Sequence, residues 1–251
     1  MNEAASISTS SDAADLESAD VESSSDAYAE RFSGPVGQWM LAVQESVTKK
    51  LLEHCAPGTT LLDVGGGHGQ LALPLSRDRF RVTVLGSAPV CARRIQTAVD
   101  AGQCRFVVGN PMKLPFESQS FDVAMSFRML PHCVRWQTLL SELCRVARKG
   151  IVVDYPTSQS LNCIAPRMFE AKKRYEESTR AWRSFKHREV VEAFAAHGFE
   201  LARMEKQFFL PMVVHRMLNC RLLSRAMETI FRTAGLTRLY GSPVIALFLR
   251  K

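Results

Sequence analysis

An aspartate and four glycines form the part of this sequence whose residue types and spacing most clearly predict chemistry. Residues 61–69 read Leu-Leu-Asp-Val-Gly-Gly-Gly-His-Gly, so a short apolar strand enters a turn before a helix-compatible stretch. Glycines at 65, 67 and 69 permit positive φ and let the backbone approach a ligand where a Cβ would collide. The following helix would begin with unpaired N–H groups, which suit the polar end of a nucleotide-like ligand. The turn therefore predicts a cofactor site, with tight packing as the alternative.

The spacing of these glycines narrows the choice of cofactor. Gly65, Gly67 and Gly69 give G-x-G-x-G, whereas the pyrophosphate-binding fingerprint of nicotinamide and flavin enzymes is G-x-G-x-x-G. A nicotinamide-dependent reductase is therefore the third hypothesis for this chain.

Two more motifs follow in order. Residues 106–116 read Phe-Val-Val-Gly-Asn-Pro-Met-Lys-Leu-Pro-Phe, and residues 120–126 read Ser-Phe-Asp-Val-Ala-Met-Ser. With the glycine turn, they resemble the class I S-adenosylmethionine-dependent methyltransferases, in particular the small-molecule (methyltransferase type 11-like) group, whose pattern is LDVGxGxG, GDxxxLPF, SFDxVxS. The resemblance covers residues 28–155, with looser agreement to the C-terminus.

The resemblance implies a set of residues that contact S-adenosylmethionine. Asp63 would face the ammonium of the methionine part or fix the loop, and the amide oxygen of Asn110 would accept a hydrogen bond from the adenine amino group. Pro111 and Met112 would flank the adenine ring. The cofactor-binding set is Asp63, Gly65, Gly66, Gly67, Gly69, Gly86, Ser87, Asn110, Pro111 and Met112.

One position departs from the family pattern. The second strand ends in Gly86 and Ser87, where an acid normally binds both ribose hydroxyls. Ser87 offers one hydroxyl, but the bidentate carboxylate contact is missing. The departure permits weaker cofactor binding, a shifted ribose, or a degenerate site without turnover; we expect binding to be retained because the other motifs persist.

The acceptor side is predicted less sharply. By the resemblance, His132 would lie near the methyl group and could take a proton from a hydroxyl acceptor, since imidazole titrates near neutral pH. The alternative is that it only fixes its loop. Arg128 is expected to meet an anionic acceptor, or else to point into water. Tyr28, Asp154 and Tyr155 are further substrate-side candidates, with ordinary packing as the alternative for each.

The elements that must position these residues alternate between strand and helix. Strands are predicted at 60–64, 81–85, 104–108, 121–127, 151–154, 199–209 and 243–249, and helices at 35–54, 69–77, 89–101, 135–147, 166–178 and 188–197. This rhythm predicts an α/β, Rossmann-like, doubly wound and mostly parallel sheet with helices on both faces. The resemblance implies that the C-terminal strand is antiparallel. Open sheets of this kind bind ligands at one rim, where the three motifs would converge.

We expect a single methyltransferase domain over residues 28–251, after a disordered acidic tail over residues 1–27 that is too polar to offset its ordering entropy. Within the domain, residues 28–57 would form a lid helix, residues 58–155 the cofactor-binding half and residues 156–251 the acceptor-side half. Residues 211–240 read as a helical insertion. Its Arg221, Arg225, Glu228 and Arg232 share one stripe, opposite Leu218, Leu222, Met227, Ile230 and Phe231. The insertion either covers the sheet or contacts an anionic membrane.

Charge and cysteine usage limit the remaining classes. The chain carries a formal charge of +7, yet its first 30 residues hold eight acids and no Lys or Arg, which leaves +15 for residues 31–251. A positive charge of this size favours encounter with anionic partners, but it does not identify the partner or the function. The seven cysteines are scattered without metal-type spacing, which predicts a cytoplasmic protein without a metal. No motif or appended module indicates nucleic-acid binding.

These observations lead to two principal hypotheses. The first is a methyltransferase that acts on O or C of a small or lipid-like acceptor, such as a quinone precursor, in the cytoplasm or at a membrane surface. The second is a non-catalytic protein that binds S-adenosylmethionine or S-adenosylhomocysteine through a degenerate ribose site.

Overall fold

A seven-stranded sheet organises the computed structural model, which describes residues 19–161 and 183–251. The strand order is β3-β2-β1-β4-β5-β7-β6. β1 to β5 are parallel, and β7 is antiparallel to both β5 and β6. The predicted fold class, including the antiparallel C-terminal strand, is therefore confirmed. The strands are β1 (Thr60–Val64), β2 (Arg81–Gly86), β3 (Arg105–Val108), β4 (Phe121–Ser126), β5 (Ala147–Tyr155), β6 (Phe199–Phe208) and β7 (Ser242–Arg250).

Helices precede, connect and follow these strands. Within the described residues they are α1 (Ala19–Ser23), α2 (Asp26–Glu30), α3 (Gly34–Leu51), α4 (Ala72–Asp78), α5 (Gln96–Asp100), α6 (Trp136–Val146), α7 (His187–Ala195), α8 (Met212–Leu218), α9 (Arg221–Thr233) and α10 (Leu236–Tyr240). Short 3-10 turns span Gly66–His68, Pro89–Ala92 and Leu130–His132. The expected helix at 166–178 lies outside the described residues.

Buried apolar side chains fill both faces of the sheet. On one face, α6 and α7 pack through residues such as Leu139 and Phe194. On the other, the end of α3, α4 and α5 contribute Leu51, Leu75 and Ala98. This two-sided burial is what a parallel sheet requires, and it leaves the carboxyl ends of β1 to β4 at a common rim.

Two predicted helices begin later in the structure, because the residues predicted to start them form turns instead. α4 begins at Ala72 rather than at residue 69, since Gly69 has φ +78° and cannot be helical. The helix predicted at 89–101 is divided into the turn at Pro89–Ala92 and α5, and the carbonyl of Cys91 in that turn faces the glycine loop. β5 is longer than predicted, because both β4 and β7 pair with it.

The prediction of disorder up to residue 27 is wrong for residues 19–27, whereas residues 1–18 lie outside the described part. α1 packs on the loops after β1 and β2, and α2 begins with the Ser25 hydroxyl accepting from the Tyr28 amide. The composition predicts no core contribution from this segment, yet Ala19 and Asp20 are buried. Apolar packing of Ala19 and the buried hydrogen bonds of Asp20 together hold this segment.

The insertion at 211–240 forms α8, α9 and α10, but its orientation differs from a simple amphipathic helix. α9 turns Ser224 and Glu228 inward, while Leu222 and Ile230 are exposed. The Glu228 carboxylate accepts hydrogen bonds from the amides of Phe209 and Leu210, each at 2.9 Å. The apolar residues expected to share one side are therefore divided between the protein and the solvent.

In the part of the chain that the structure describes, no helix combines the length and the apolar character that a bilayer crossing requires. The six cysteines within that part are free thiols.

Candidate active site

The glycine turn after β1 has a backbone conformation and a close packing that require glycine. Gly65 and Gly69 have φ of +80° and +78°, in the left-handed region that favours glycine. Gly66 and Gly67 lack positive φ but are constrained by space: a Cβ at Gly66 would overlap the Asp63 carboxylate, and one at Gly67 would overlap the Cys91 carbonyl. The turn is therefore tightly packed, and its backbone is fixed further by hydrogen bonds from the Gly65 amide to the Leu85 carbonyl and from the Gly69 amide to the Gly66 carbonyl.

Asp63 lies in β1 beneath this turn. Its side chain is buried, and burial raises its pKa to about 7, against a smaller lowering effect of the Arg128 guanidinium. Burial disfavours the carboxylate form of Asp63, whereas a neighbouring cation favours it. A cationic ligand group beside this side chain would therefore stabilise the ionised carboxylate. Asp63 is thus suited to bind an ammonium.

Arg128 follows β4 in a constrained conformation, with φ +60°. Its guanidinium carbon lies 5.5 Å from the centre of the Tyr28 ring and 5.2 Å from that of Phe32. The Nη1 atom is buried and has no hydrogen-bond partner among the described residues. An unpaired buried donor is costly unless a ligand accepts from it, so Arg128 offers a place for an anionic group close to Asp63.

Asp154 and Tyr155, at the end of β5, support this region from inside the protein. Oδ1 of Asp154 accepts from the Arg128 amide at 2.5 Å, and Oδ2 accepts from Gln44 Nε2 at 3.4 Å. Burial raises the pKa of Asp154 to about 6. The Tyr155 hydroxyl lies 2.6 Å from His187 Nδ1, and burial raises its pKa. Asp154 therefore positions the loop after β4, whereas Tyr155 is turned toward α7 rather than toward Arg128.

The end of β2 leaves no space for a carboxylate side chain at residue 86. A Cβ at Gly86 would lie 2.6 Å from Cys91 Cβ and 2.9 Å from Phe106 Cζ, so no aspartate fits there without movement. The carboxylate of Asp20 instead meets the next residue: Oδ2 accepts from the Ser87 amide at 2.5 Å and Oδ1 from the Ser87 hydroxyl at 2.6 Å. Sequence reasoning missed Asp20, because it lies in an acidic, serine-rich segment.

The loop after β3 lies beside the loop after β4. Asn110 Oδ1 accepts from the Met112 amide at 2.8 Å, so this oxygen already stabilises its own turn, with a second lone pair left for a ligand. Met112 is buried, and its sulfur lies 4.0 Å from that of Cys133. His132, adjacent to Cys133, is half-buried in the 3-10 turn after β4, where its amide donates to the Met129 carbonyl at 3.0 Å.

His68 and Phe32 complete a cover over the glycine turn. The His68 ring lies 6.1 Å from the Tyr28 ring and 6.3 Å from the Phe32 ring, centre to centre. Burial and the nearby Arg128 and Arg94 lower the pKa of His68 to about 3, which keeps the imidazole neutral. The contribution of His68 here is an aromatic surface.

The structure thus brings Asp63, Arg128 and Tyr28 together, supported by Asp154. A buried carboxylate beside an unpaired buried guanidinium nitrogen fits a zwitterionic group, which is what the methionine part of S-adenosylmethionine carries. The space beside the glycines is filled by the protein itself in this structure: Met129 lies beside Gly65, Asp63 beside Gly66, and the Cys91 carbonyl and the Ser24 hydroxyl beside Gly67. Within residues 19–161 and 183–251, no group of three or more His, Cys, Asp or Glu side chains is placed to hold a metal ion.

Comparison with known proteins concerns the domain that contains these residues. A family model described as a methyltransferase domain matches residues 62–153, which span β1 to β5 and contain all three motifs. The magnesium protoporphyrin IX methyltransferase of Synechocystis PCC 6803, solved with bound SAH, superposes with a TM-score of 0.63 at 15% identity, over 90% of this chain and 94% of that one. At this identity the likeness concerns the fold.

Two curated relatives are similar in sequence. The 2-methyl-6-phytyl-1,4-hydroquinone methyltransferase of Synechocystis sp. is 36% identical over 110 residues, which are 41% of this chain and 34% of that protein. The O-methyltransferase rstn1 of Aspergillus nomiae is 31% identical over 113 residues, 42% of this chain and 50% of that protein. The chain therefore spans half or less of the length of these relatives.

Proposed function

We propose that this chain, in which residues 62–153 form a methyltransferase domain of the class I S-adenosylmethionine-dependent type, transfers a methyl group to O or C of a small or lipid-like acceptor. The observation that carries the proposal is that the buried Asp63 carboxyl lies within electrostatic reach of Arg128, whose buried Nη1 has no hydrogen-bond partner among the described residues. These groups are complementary to the ammonium and the carboxylate of one amino-acid-type ligand.

In this proposal the residues of the chain bind and orient rather than react. When bound, S-adenosylmethionine supplies an activated methyl group, so catalysis depends on position and on exclusion of water. Asp63 holds the ammonium, Arg128 holds the carboxylate, and Gly65, Gly66, Gly67 and Gly69 admit the chain of atoms between them. Asn110, Pro111 and Met112 form the adenine side, and Tyr28 covers the site with Phe32.

Proton removal from the acceptor is assigned to His132. Its turn follows β4 at the same rim as the glycine loop, and Cys133 beside it contacts Met112 of the adenine side. An imidazole there can take a proton from a hydroxyl or an activated carbon acid near neutral pH. An H132N variant should bind S-adenosylhomocysteine normally but lose turnover at least about a hundredfold, in line with general-base contributions.

The insertion supports a lipid-like acceptor. The exposed apolar side chains of α8 and α9 lie next to Arg221 and Arg225, which are also exposed. This combination suits contact with an anionic membrane surface, from which a lipid-like acceptor would be taken. The relative that is named as a methyltransferase of a phytyl-bearing hydroquinone supports a quinone-type acceptor. The free thiols fit a cytoplasmic site for this contact.

The experiment that tests this function is transfer of labelled methyl from S-adenosylmethionine to extracted lipids and, separately, to water-soluble metabolites. We expect label in the lipid fraction with wild-type protein and little with H132N. Label in neither fraction, despite binding of S-adenosylhomocysteine, would contradict methyl transfer. It would favour the second candidate, a non-catalytic binding protein, which the absence of an acid at Gly86 makes a specific alternative.

A further inference from the structure

Helix α1 lies inside the cleft that the proposed function assigns to the cofactor. It packs against the turn at Gly66–His68 and against the turn at Pro89–Ala92, at the ends of β1 and β2. Ala19 joins the apolar cluster that includes Leu85, Met112 and Met129, which come from three different loops or strand ends of the rim. The helix therefore reaches the base of the cleft.

The carboxylate of Asp20 is the hydrogen-bond acceptor for the polar groups at the end of β2. The two oxygens of Asp20 accept from the amide and from the hydroxyl of Ser87, and Oδ2 lies 3.4 Å from Cys91 Sγ. Its Cβ lies 3.5 Å from the point that a Cβ of Gly65 would occupy. Ser24, one turn later, places its hydroxyl 2.6 Å from the corresponding point of Gly67. The segment 20–24 thus covers both glycines from above.

Asp20 is 0% exposed. No atom of its side chain can be touched even by water, so a ribose cannot contact this carboxylate while α1 is in place. The carboxylate instead stands between Gly65 and Ser87, where the resemblance puts the ribose. In this conformation Asp20 is a competitor of the cofactor rather than a substitute for the missing acid.

We propose that residues 19–24 form an autoinhibitory plug that the cofactor must displace. This inference rests on the proposed function, because it concerns access to the same site. When the plug leaves, the Ser87 amide and hydroxyl become free to donate to the ribose oxygens, so each donor exchanges one partner for another.

The outer attachment of the plug is weak enough to permit this exchange. Asp26 at the start of α2 pairs with Arg93 at 2.6 Å and with Arg94 at 2.9 Å, and Glu22 pairs with Arg31 at 3.7 Å. The side chains of these ion pairs are 31–69% exposed, and ion pairs in contact with solvent contribute little to stability. The strong contacts of the segment are therefore the buried ones of Asp20, and removal of that carboxylate should release the plug.

The test is calorimetric titration of S-adenosylhomocysteine into wild-type protein and D20A, with E30A as a matched control that removes an exposed acid from α2. We expect D20A to bind about tenfold more tightly, and E30A to bind like wild type. We also expect hydrogen exchange at residues 19–24 of the wild-type protein to increase when S-adenosylhomocysteine is added.

Weaker or equal binding by D20A would overturn the plug and leave the proposed function standing, since weaker binding would make Asp20 a ligand of the cofactor. If folded wild type and folded D20A both fail to bind S-adenosylhomocysteine, the proposed function fails and the plug fails with it. The D20N variant, which keeps the side-chain volume, separates the charge of Asp20 from its size: tighter binding by D20N also supports the plug.

Discussion

The amide nitrogen of Arg128 lies 2.5 Å from Oδ1 of Asp154, and this hydrogen bond joins the end of β5 to the loop after β4. Arg128 has a positive φ, which is unfavourable for a residue with a Cβ. The buried carboxylate of Asp154 therefore fixes the loop that carries the Arg128 guanidinium, and the two residues act as one unit of the site.

Replacement of Asp154 tests this relationship. D154A leaves the Arg128 amide without its acceptor and should lower the free energy of unfolding by about 1–3 kcal/mol. D154N keeps an oxygen acceptor and should retain most of the stability. Urea unfolding at pH 5 and pH 8 measures both variants.

The pH dependence of these variants has a defined sign. Because burial raises the pKa of Asp154 to about 6, the stability that its protonated form contributes is present below the unfolded pKa and is lost as pH rises through about 6. D154N should therefore gain stability relative to wild type between pH 5 and pH 8. A constant difference across this range would show that Asp154 does not titrate as described.

Cofactor affinity should depend on pH through Asp63. Its pKa is raised to about 7 by burial, so below pH 7 the carboxyl is protonated and attracts an ammonium less. We expect the affinity for S-adenosylhomocysteine to fall by up to about tenfold per pH unit below pH 7 and to be constant above it. His68, with a pKa of about 3, does not titrate in this range. Calorimetry from pH 5.5 to 8.5 measures the profile, and D63N should flatten it.

Arg128 should recognise the carboxylate of the cofactor specifically. R128M keeps an unbranched side chain next to Tyr28 and Phe32 but removes the charged donors, so binding of S-adenosylhomocysteine should weaken about 10- to 100-fold. Binding of 5′-methylthioadenosine, which has no amino-acid part, should change less than about twofold. Equal losses for the two ligands would mean that R128M damages the site in general.

The insertion should bind anionic vesicles through its exposed apolar side chains. Leu222 is 78% exposed and Ile230 is 62% exposed, so L222S/I230S should leave the fold stable while sedimentation with phosphatidylglycerol-containing vesicles decreases. R221E/R225E should have the same effect at low salt. V90S, at an exposed valine outside the insertion, is the control. Unchanged partitioning of both double variants would remove the membrane from the proposal.

Sequence reasoning was most successful where one signal dominates. β1 has the predicted bounds, and the positive φ of Gly65 and Gly69 follows from the turn that the glycines form. The burial of both faces of the sheet also follows from the alternation of apolar strands and helices. These features depend on local patterns that a single sequence displays.

Other features depend on contacts between distant residues, which one sequence does not display. Asp20 reaches Ser87 across 67 positions, from a segment whose composition alone predicts disorder. Gly86 is accounted for only when Cys91 and Phe106 are seen to fill the space beside it. Glu228 faces the protein interior because its carboxylate accepts hydrogen bonds from the amides of Phe209 and Leu210. As a result, apolar side chains of α9 such as Leu222 face the solvent.

The most direct test of the whole account is a calorimetric comparison of S-adenosylhomocysteine binding by wild type, G67A and G58A. A Cβ at Gly67 would overlap the Cys91 carbonyl and distort the turn, whereas Gly58 has open space around its Cβ position and lies outside the site. The account predicts saturable one-to-one binding by wild type and G58A and none by G67A. Absence of binding by both wild type and D20A, or equal binding by wild type and G67A, would contradict the assignment of the glycine turn as the cofactor site.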